Sequence, residues 1–370
     1  LKIRVVVSDR NFNVKEILDN EFYDLSWAYA CVGGCGEFRF NLPRKRFAEK
    51  AISGDYNIYH RNTTTNVYDL WYQGLIENKI PNVQGLTEYI EFSGQGYQTQ
   101  LSRIYINNVT YTSQEASVII KSILDTYVTP YTNISYSPAD IQATTFTFDS
   151  LTLNDTVQSA IKKIADVCGL IEWGVDRNRS FFFKAQSTTV GFTFLQGNNI
   201  TNFQDNQDFT SIVNQIYVQG AQTGGTYFLS GPYNNLPSQA KYSIRQQVIQ
   251  NSSITTTTVA SQLASATLAL YGDVTRQAQC EIVNYEGLLE GTTPVPLFRE
   301  ISKKVKYGQR AYGTFLYSGL VNRQIIKISY ALSNNNSLTI NLELGDLQPK
   351  ISKKIGRIQY KLDQLSSAAL

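Results

Sequence analysis

The chain has 370 residues, 42% of them apolar, enough for two or three domains with cores of their own. Only 17% are charged, while Tyr, Thr, Asn, Gln and Ser are abundant, a balance that suits strands and polar contact surfaces. A net charge of +3 and a single histidine, His60, argue against electrostatic nucleic-acid binding, a histidine metal centre and a Ser-His-Asp site.

In chain order, Leu1–Val7 sets Ile3, Val5 and Val7 against Lys2, Arg4 and Val6, and Ser8–Asn13 turns the chain. Phe22–Ala30 reads as a strand, and Gly36–Pro43 reads so more clearly. There Phe38, Phe40 and Leu42 face one side and Glu37, Arg39 and Asn41 the other, with Pro43 as the stop. Gly54–Tyr59 and Val67–Glu77 add strands, and His60 beside a Thr-rich loop reads as a surface residue. Asn78–Gly85, with a Pro, two Asn and a Gly, carries turn chemistry. Leu86, Glu88, Ile90 and Phe92 then alternate with Thr87, Tyr89 and Glu91. That places Leu86, Ile90 and Phe92 toward a core, with Glu88 as the single charge expected at a sheet edge or subunit contact. Ser93-Gly94-Gln95-Gly96 reads as the strand's end. As a dinucleotide motif the GxG lacks a third glycine and a long helix behind it. Residues 1–105 thus read as nearly all β, a small barrel or a sandwich.

The pattern then changes. Thr112–Glu115 has the form of a capping box, followed by Ala116, Ile119, Ile120, Ile123, Leu124 and Tyr127 on one helical face, closed by Pro130. A second helix starts near Asn154 or Asp155, carries Val157, Ile161, Ile164, Ala165 and Cys168, and has Gly169 where an αL cap belongs. Leu170–Val175 and Phe181–Ala185 flank the turn Asp176–Ser180. Residues 106–187 therefore read as a compact α+β unit, with Trp173 expected to be buried near Phe182 and the helix face of Ile161 and Ile164.

From Thr188 the chain returns to β, with a strand at Ser211–Gly220 and a loop at Tyr227–Ala240. A helix over Thr255–Leu270 shows Val259, Leu263, Ala266 and Leu270 on one face. Strands follow at Gln277–Val283, Gly313–Ser318 and Arg323–Ala331, the last pairing with Leu338–Leu344 across Ser333–Asn336. The chain closes on a helix, Ile351–Leu365, whose Ile351, Ile355, Ile358, Leu362 and Leu365 step by four, three, four, three as in a coiled-coil seam.

Cys31 and Cys35 are spaced C-x3-C, but a zinc site needs two more ligands, and Cys168 and Cys280 lie far off. Cys168 ends a helix and Cys280 sits in an alternating strand, where a thiol behaves as a small apolar residue. A Cys31–Cys35 disulfide requires an oxidising setting. No uncharged run has transmembrane length and no signal peptide is visible, so no membrane anchor is expected. No spacing singles out a pair of carboxylates for glycoside hydrolysis. The residues designate no catalytic, cofactor-binding or metal-binding site, and no cofactor.

The order of elements resembles the tail or baseplate hub proteins of tailed phages and contractile injection systems. GEFRFNLP at Gly36–Pro43 and LWYQGLIE at Leu70–Glu77 look like strands of the family's first tube-like barrel. DVCGLIEWGVDRNRSFFFKAQ at Asp166–Gln186 looks like part of its inserted α+β domain. IVNQIYVQG at Ile212–Gly220 looks like the strand that resumes the tube-like part, and SLTINLELGD at Ser337–Asp346 like the closing strand before a terminal helix. The resemblance implies a mainly β fold with two tail-tube-like β-barrel domains, at 1–105 and 188–346. The α+β insertion at 106–187 lies between them, and a C-terminal helix spans 347–370. It implies a non-enzymatic homotrimer in the virion's tail tip or baseplate, made in the bacterial host cytoplasm. Its partners would be tail tube or distal tail ring proteins on one side and a spike or fibre protein on the other. DNA would pass through the central channel without sequence-specific binding. A carbohydrate- or receptor-binding β-rich virion protein is the alternative, since 24 tyrosines supply stacking surface.

Overall fold

The computed structural model describes residues 3–9, 11–19, 21–43, 54–61, 67–144, 146–168, 171–185, 190–195, 200–223, 225–250, 254, 256–282, 289–290, 293–294, 304–308, 321–333 and 337–345. The expected strand Gly313–Ser318, the Gly169 cap and the terminal helix Ile351–Leu365 lie outside these residues.

The first β region comprises β1 (Ile3–Ser8), β2 (Val14–Asp19), β3 (Tyr23–Ala30), β4 (Val32–Pro43), β5 (Asp55–Arg61), β6 (Tyr68–Gln84) and β7 (Thr87–Gly96). Period-two burial drives each pairing. Phe38, Phe40 and Leu42 of β4 are buried while Glu37 and Arg39 face solvent, but Asn41, expected beside them on the outer face, is buried too and donates to Asp24 at 3.1 Å. The strands follow one another across the sheet in the order β3-β4-β7-β6-β5-β1-β2.

The chain then makes a 3-10 turn over Tyr97–Arg103 and enters the insertion. It contains β8 (Tyr105–Glu115), α1 (Ala116–Ile123), β9 (Ser135–Ile141), β10 (Thr147–Thr156), α2 (Val157–Cys168), β11 (Ile171–Val175) and β12 (Ser180–Ala185). Ala116, Ile119, Ile120 and Ile123 of α1 and Val157, Ile161, Ile164 and Ala165 of α2 are all buried in one core with Tyr97, Leu101 and the hairpin.

The capping box is not what starts α1. Thr112 belongs to β8, opposite Ser150 of β10, so the ladder already occupies that stretch. Glu115 itself is the cap. One of its carboxylate oxygens accepts from the backbone N–H of Ser117 at 2.9 Å, the other from that of Thr144 at 2.7 Å. Burial alone would raise its pKa, but the donors from Ser117 and Thr144 outweigh it and hold the carboxyl below its usual value. A depressed folded-state pKa contributes stability above the unfolded pKa and loses it as pH falls through the folded one. Glu115→Ala should therefore cost about 1 kcal/mol at neutral pH and progressively less in acid. Urea unfolding at pH 7 and pH 3 checks this, and an equal loss at both would assign the effect to packing instead.

Trp173 is buried in the insertion core with Ile161 and Ile164, as expected. Its cross-strand neighbour is Phe183, however, and not Phe182, which pairs opposite Gly174. Phe181 and Phe183 supply the buried face of β12, whereas Phe182 is only half-buried. Trp173→Ala should cost about 3–5 kcal/mol in chemical denaturation. A loss under about 1 kcal/mol, the scale of most exposed-site changes, would contradict the burial.

The second β region holds β13 (Val190–Leu195), β14 (Ile200–Asp208), β15 (Gln215–Thr223), β16 (Thr226–Asn234), α3 (Leu236–Tyr242), β17 (Gln246–Gln250), α4 (Thr257–Tyr271) and β18 (Thr275–Ile282). After them come the short pair β19 (Leu289–Glu290) and β20 (Thr293–Pro294), then β21 (Lys304–Gly308), β22 (Val321–Leu332) and β23 (Leu338–Gly345). The last two strands pair as expected, and β22 also pairs antiparallel with β3. The two β regions are thus edge-joined in one sheet of sixteen described strands, and Trp27, Phe40 and Leu42 share a core with Ile328, Tyr330 and Leu342.

Two expectations change here. The strand Ile212–Gly220 does not resume the main sheet, because β15 lies between β16 and β17 in a separate three-stranded sheet under α4. β13 and β14 make the return, through β21 and β18. Tyr227–Ala240 is not a loop but β16 followed by α3. Its Gly231-Pro232 step, which read as a loop, falls where β16 shifts register against β15. In α4 the buried side is Ala260, Leu263, Ala264 and Leu268, which keeps Leu263 from the expected face. The side chains of Val259, Ala266 and Leu270 lie outside the described residues.

Candidate assembly surface

The 70–101 stretch forms an arm. β6 continues through Asn78–Gln84, and the turn shrinks to Gly85-Leu86 before β7 begins. Pro81 and the asparagines that signalled a turn are paired strand residues, Pro81 opposite Ile90. Proline tolerates this on an edge, where its missing N–H breaks no ladder. β5 ends its pairing at Asp55–Leu75, so among the described residues Ile76–Gln84 has a strand on one side only. Ile90 and Phe92 are buried as expected, but Leu86, placed in the turn, is fully exposed. Ile80 and Val83 are exposed with it, at 48% and 73%. Sequence reading missed this apolar tip because it assigned its residues to a turn and a core face.

The GxG serves close packing. Gly94 and Gly96 lie within β7, where a Cβ would come 1.9 Å from the Leu75 carbonyl oxygen and 2.1 Å from that of Cys35. The strand continues through them into the 3-10 turn.

The insertion is fastened to the first β region at two places. β11 runs parallel to β4, with Trp173, Gly174 and Val175 opposite Val32, Gly33 and Gly34. At the other end Tyr97 donates to the buried Asp55 at 2.5 Å. The Arg179 guanidinium stacks on Phe12 at 3.2 Å and on Tyr97 at 5.4 Å. Burial lowers the Arg179 pKa, against the opposing pull of Tyr97 and Asp55. A third buried contact, from Gln324 of β22 to Glu172 of β11 at 3.3 Å, links the insertion to the second β region.

Cys31 and Cys35 stand as separate thiols. Burial pushes the thiols of Cys35 and Cys280 up to about 12, which keeps them protonated and unreactive. His60 lies in β5 opposite Ile3, its side chain outside the described set. Among the described residues no group of three or more His, Cys, Asp or Glu is placed to hold a metal ion, and no helix is long and apolar enough to cross a membrane.

No family model and no curated protein matches the sequence. Solved structures do match the fold. The 43 kDa tail protein of prophage MuSo2 from Shewanella oneidensis superposes over 95% of this chain and 100% of its own, with a TM-score of 0.65 at 12% identity. A tail protein from Neisseria meningitidis MC58 covers 95% of this chain and 98% of its own, with a TM-score of 0.62 at 12% identity. Prophage tail protein gp18 from Listeria monocytogenes EGD-e covers 98% and 100%, with a TM-score of 0.53 at 13% identity. The chain therefore has the fold of phage tail proteins, mainly β with an α+β insertion, over nearly its whole length.

Proposed function

We propose that this chain is the structural hub of a phage tail or baseplate, a homotrimer that joins a hexameric tail tube to a trimeric spike or fibre assembly. The observation that carries the reading is the end-to-end match to phage tail proteins, which leaves no large segment of either chain unaccounted for. In this reading residues 1–105 and 188–346 are two tube-like barrels of related fold. Three copies present six such barrels to the tube, and the insertion at 106–187 stands beside the ring. The protein acts without catalysis, in the virion, and DNA passes through its channel without base-specific contact. The sheet joint between β22 and β3 supports it, since it puts the two β regions side by side, as neighbouring segments of one ring would have to lie. So does the edge of the arm, which among the described residues is paired on one side only and which a neighbouring subunit would complete.

Light scattering on the full chain tests this, with a mass three times 41.6 kDa expected. Deleting Ile351–Leu370 should lower the trimer's stability if that segment forms the coiled-coil seam. A chain that stays a monomer at all concentrations contradicts the proposal. Replacing Ile80, Val83 and Leu86 together by lysine should leave the melting temperature of the isolated protein unchanged and block incorporation into tails, scored by infectivity in a complementation assay. Normal incorporation would remove the arm from the assembly contacts.

A further inference from the structure

The small sheet of the second β region ends in an edge unlike the others. Its strands run in the order β16-β15-β17, and among the described residues β17 has a neighbour, the parallel β15, on one side only. Proteins blunt such edges with charge, proline or a bulge, because an open edge templates pairing with another chain. Each other outermost strand among the described residues carries one of these. β2, β8, β10, β14 and β19 hold acidic residues, β9, β16 and β20 a proline, and β13 a break in register. β17 has none of them. Its sequence is QQVIQ, its register with β15 is unbroken, and Gln246, Gln247, Val248 and Gln250 are exposed.

The side chains of this edge match themselves. Gln246, Val248 and Gln250 share the face turned away from Ile216, Val218 and α4. An antiparallel copy laid along β17, with a two-fold axis at Val248, sets Val248 against Val248 and each Gln246 against the other copy's Gln250. The two amides are already oriented. Gln246 donates to Gln215, which donates to Asn234 at 2.7 Å, and Gln250 donates to Gln219 at 3.1 Å. An amide has two N–H donors and one oxygen, so each edge glutamine keeps one donor and its acceptor. Facing each other, Gln246 and the second copy's Gln250 exchange two hydrogen bonds, and the amide row from Asn234 runs on across the axis. On the other face the axis sets Gln247 against the second copy's Ile249. α4 packs over β15 and β16 there, and Gln247 stands exposed beside it.

From this edge we infer that β17 pairs with β17 of a second copy, antiparallel and about a two-fold axis at Val248. The contact is isologous, and each copy has one such edge, so the pairing closes at two and builds no fibre. Self-matching selects the occupant. A strand of another protein would have to bring the same reversed order of amide, aliphatic group and amide, which β17 brings by symmetry. The inference goes beyond the hub reading. A two-fold contact has no place between neighbours in a threefold ring, so it joins separate assemblies, before incorporation into a tail.

The test is sedimentation of the full chain from dilute to concentrated solution. The particle mass should double over that of the dilute species. Val248→Lys sets like charges opposite each other at a position that is 53% exposed. It should abolish the doubling and leave the melting temperature unchanged. Cross-linking reads the register and does not depend on the folding of that variant. With a short thiol-to-thiol cross-linker, Val248→Cys should couple to itself, and Gln246→Cys only when mixed with Gln250→Cys, against the unaltered chain as control. A mass that does not rise up to the limit of solubility overturns the inference. So does a doubling that survives Val248→Lys, or coupling of Gln246→Cys to itself. Because the doubling is measured against the dilute species, a chain that is monomeric when dilute contradicts the hub reading alone.

Discussion

Gly174→Ala is expected to detach the insertion from the first β region. The alanine Cβ would lie 2.3 Å from the carbonyl carbon of Gly33 and 2.5 Å from the nitrogen of Gly34. Both obstacles are backbone, so no side chain can swing aside. The facing strand is no freer, since a Cβ on Gly34, at φ +80°, would meet the Val175 carbonyl oxygen at 2.1 Å. Glycine is used on both strands because parallel β4–β11 pairing brings the chains this close. Overpacking usually costs 1–3 kcal/mol. With backbone on both sides, about 3 kcal/mol or more is expected here, and the loss should fall on the junction. Limited proteolysis should release a fragment near residues 97–185 while the first β region stays protected. A variant with an unchanged urea midpoint and digestion pattern would mean that the β4–β11 pairing contributes little.

The second large effect is expected at Trp27. Its indole stacks on Tyr330 of β22 with centroids 4.9 Å apart and planes 9° from parallel, and meets Trp71 edge-on at 6.2 Å. Trp27 and Tyr330 are directly opposite across the β3–β22 pair that joins the two β regions. Each is 1% exposed. Trp27→Ala should cost about 3–5 kcal/mol by cavity formation. In a double-mutant cycle with Tyr330→Leu, a coupling of about 0.5–1.5 kcal/mol is expected from the ring pair. Additive losses would show that the Trp27–Tyr330 stacking contributes nothing to the joint beyond the burial of each ring.

Much of this architecture can be read from residues because local pattern and tertiary demand agree. Phe38, Phe40 and Leu42 alternate and are buried together, and Ile161 and Ile164 fall on the stripe that packs against Trp173. The misreadings share one cause. Asn78, Pro81 and Asn82 carry turn propensity, yet the long ladder with β7 holds them extended. Thr112–Glu115 has capping-box chemistry, yet β10 claims Thr112 for a strand. Gly94 and Gly96 look like breaks, and their real function shows only when Leu75 and Cys35 are seen beneath them. In each case non-local pairing outweighs a preference of the order of a kcal/mol. The choice of partner strand is a step further removed. Nothing within Ile212–Gly220 distinguishes a strand of the large sheet from one of the small sheet under α4. The candidate surface was hidden for the same reason, because the exposure of Leu86 depends on register.

The hub assignment is tested most directly by single-particle imaging of the purified chain. A threefold ring with an open centre and six similar β lobes around it, two from each copy, is the expected image. Isolated single copies, or assemblies whose two β regions do not lie side by side around a common channel, would contradict it.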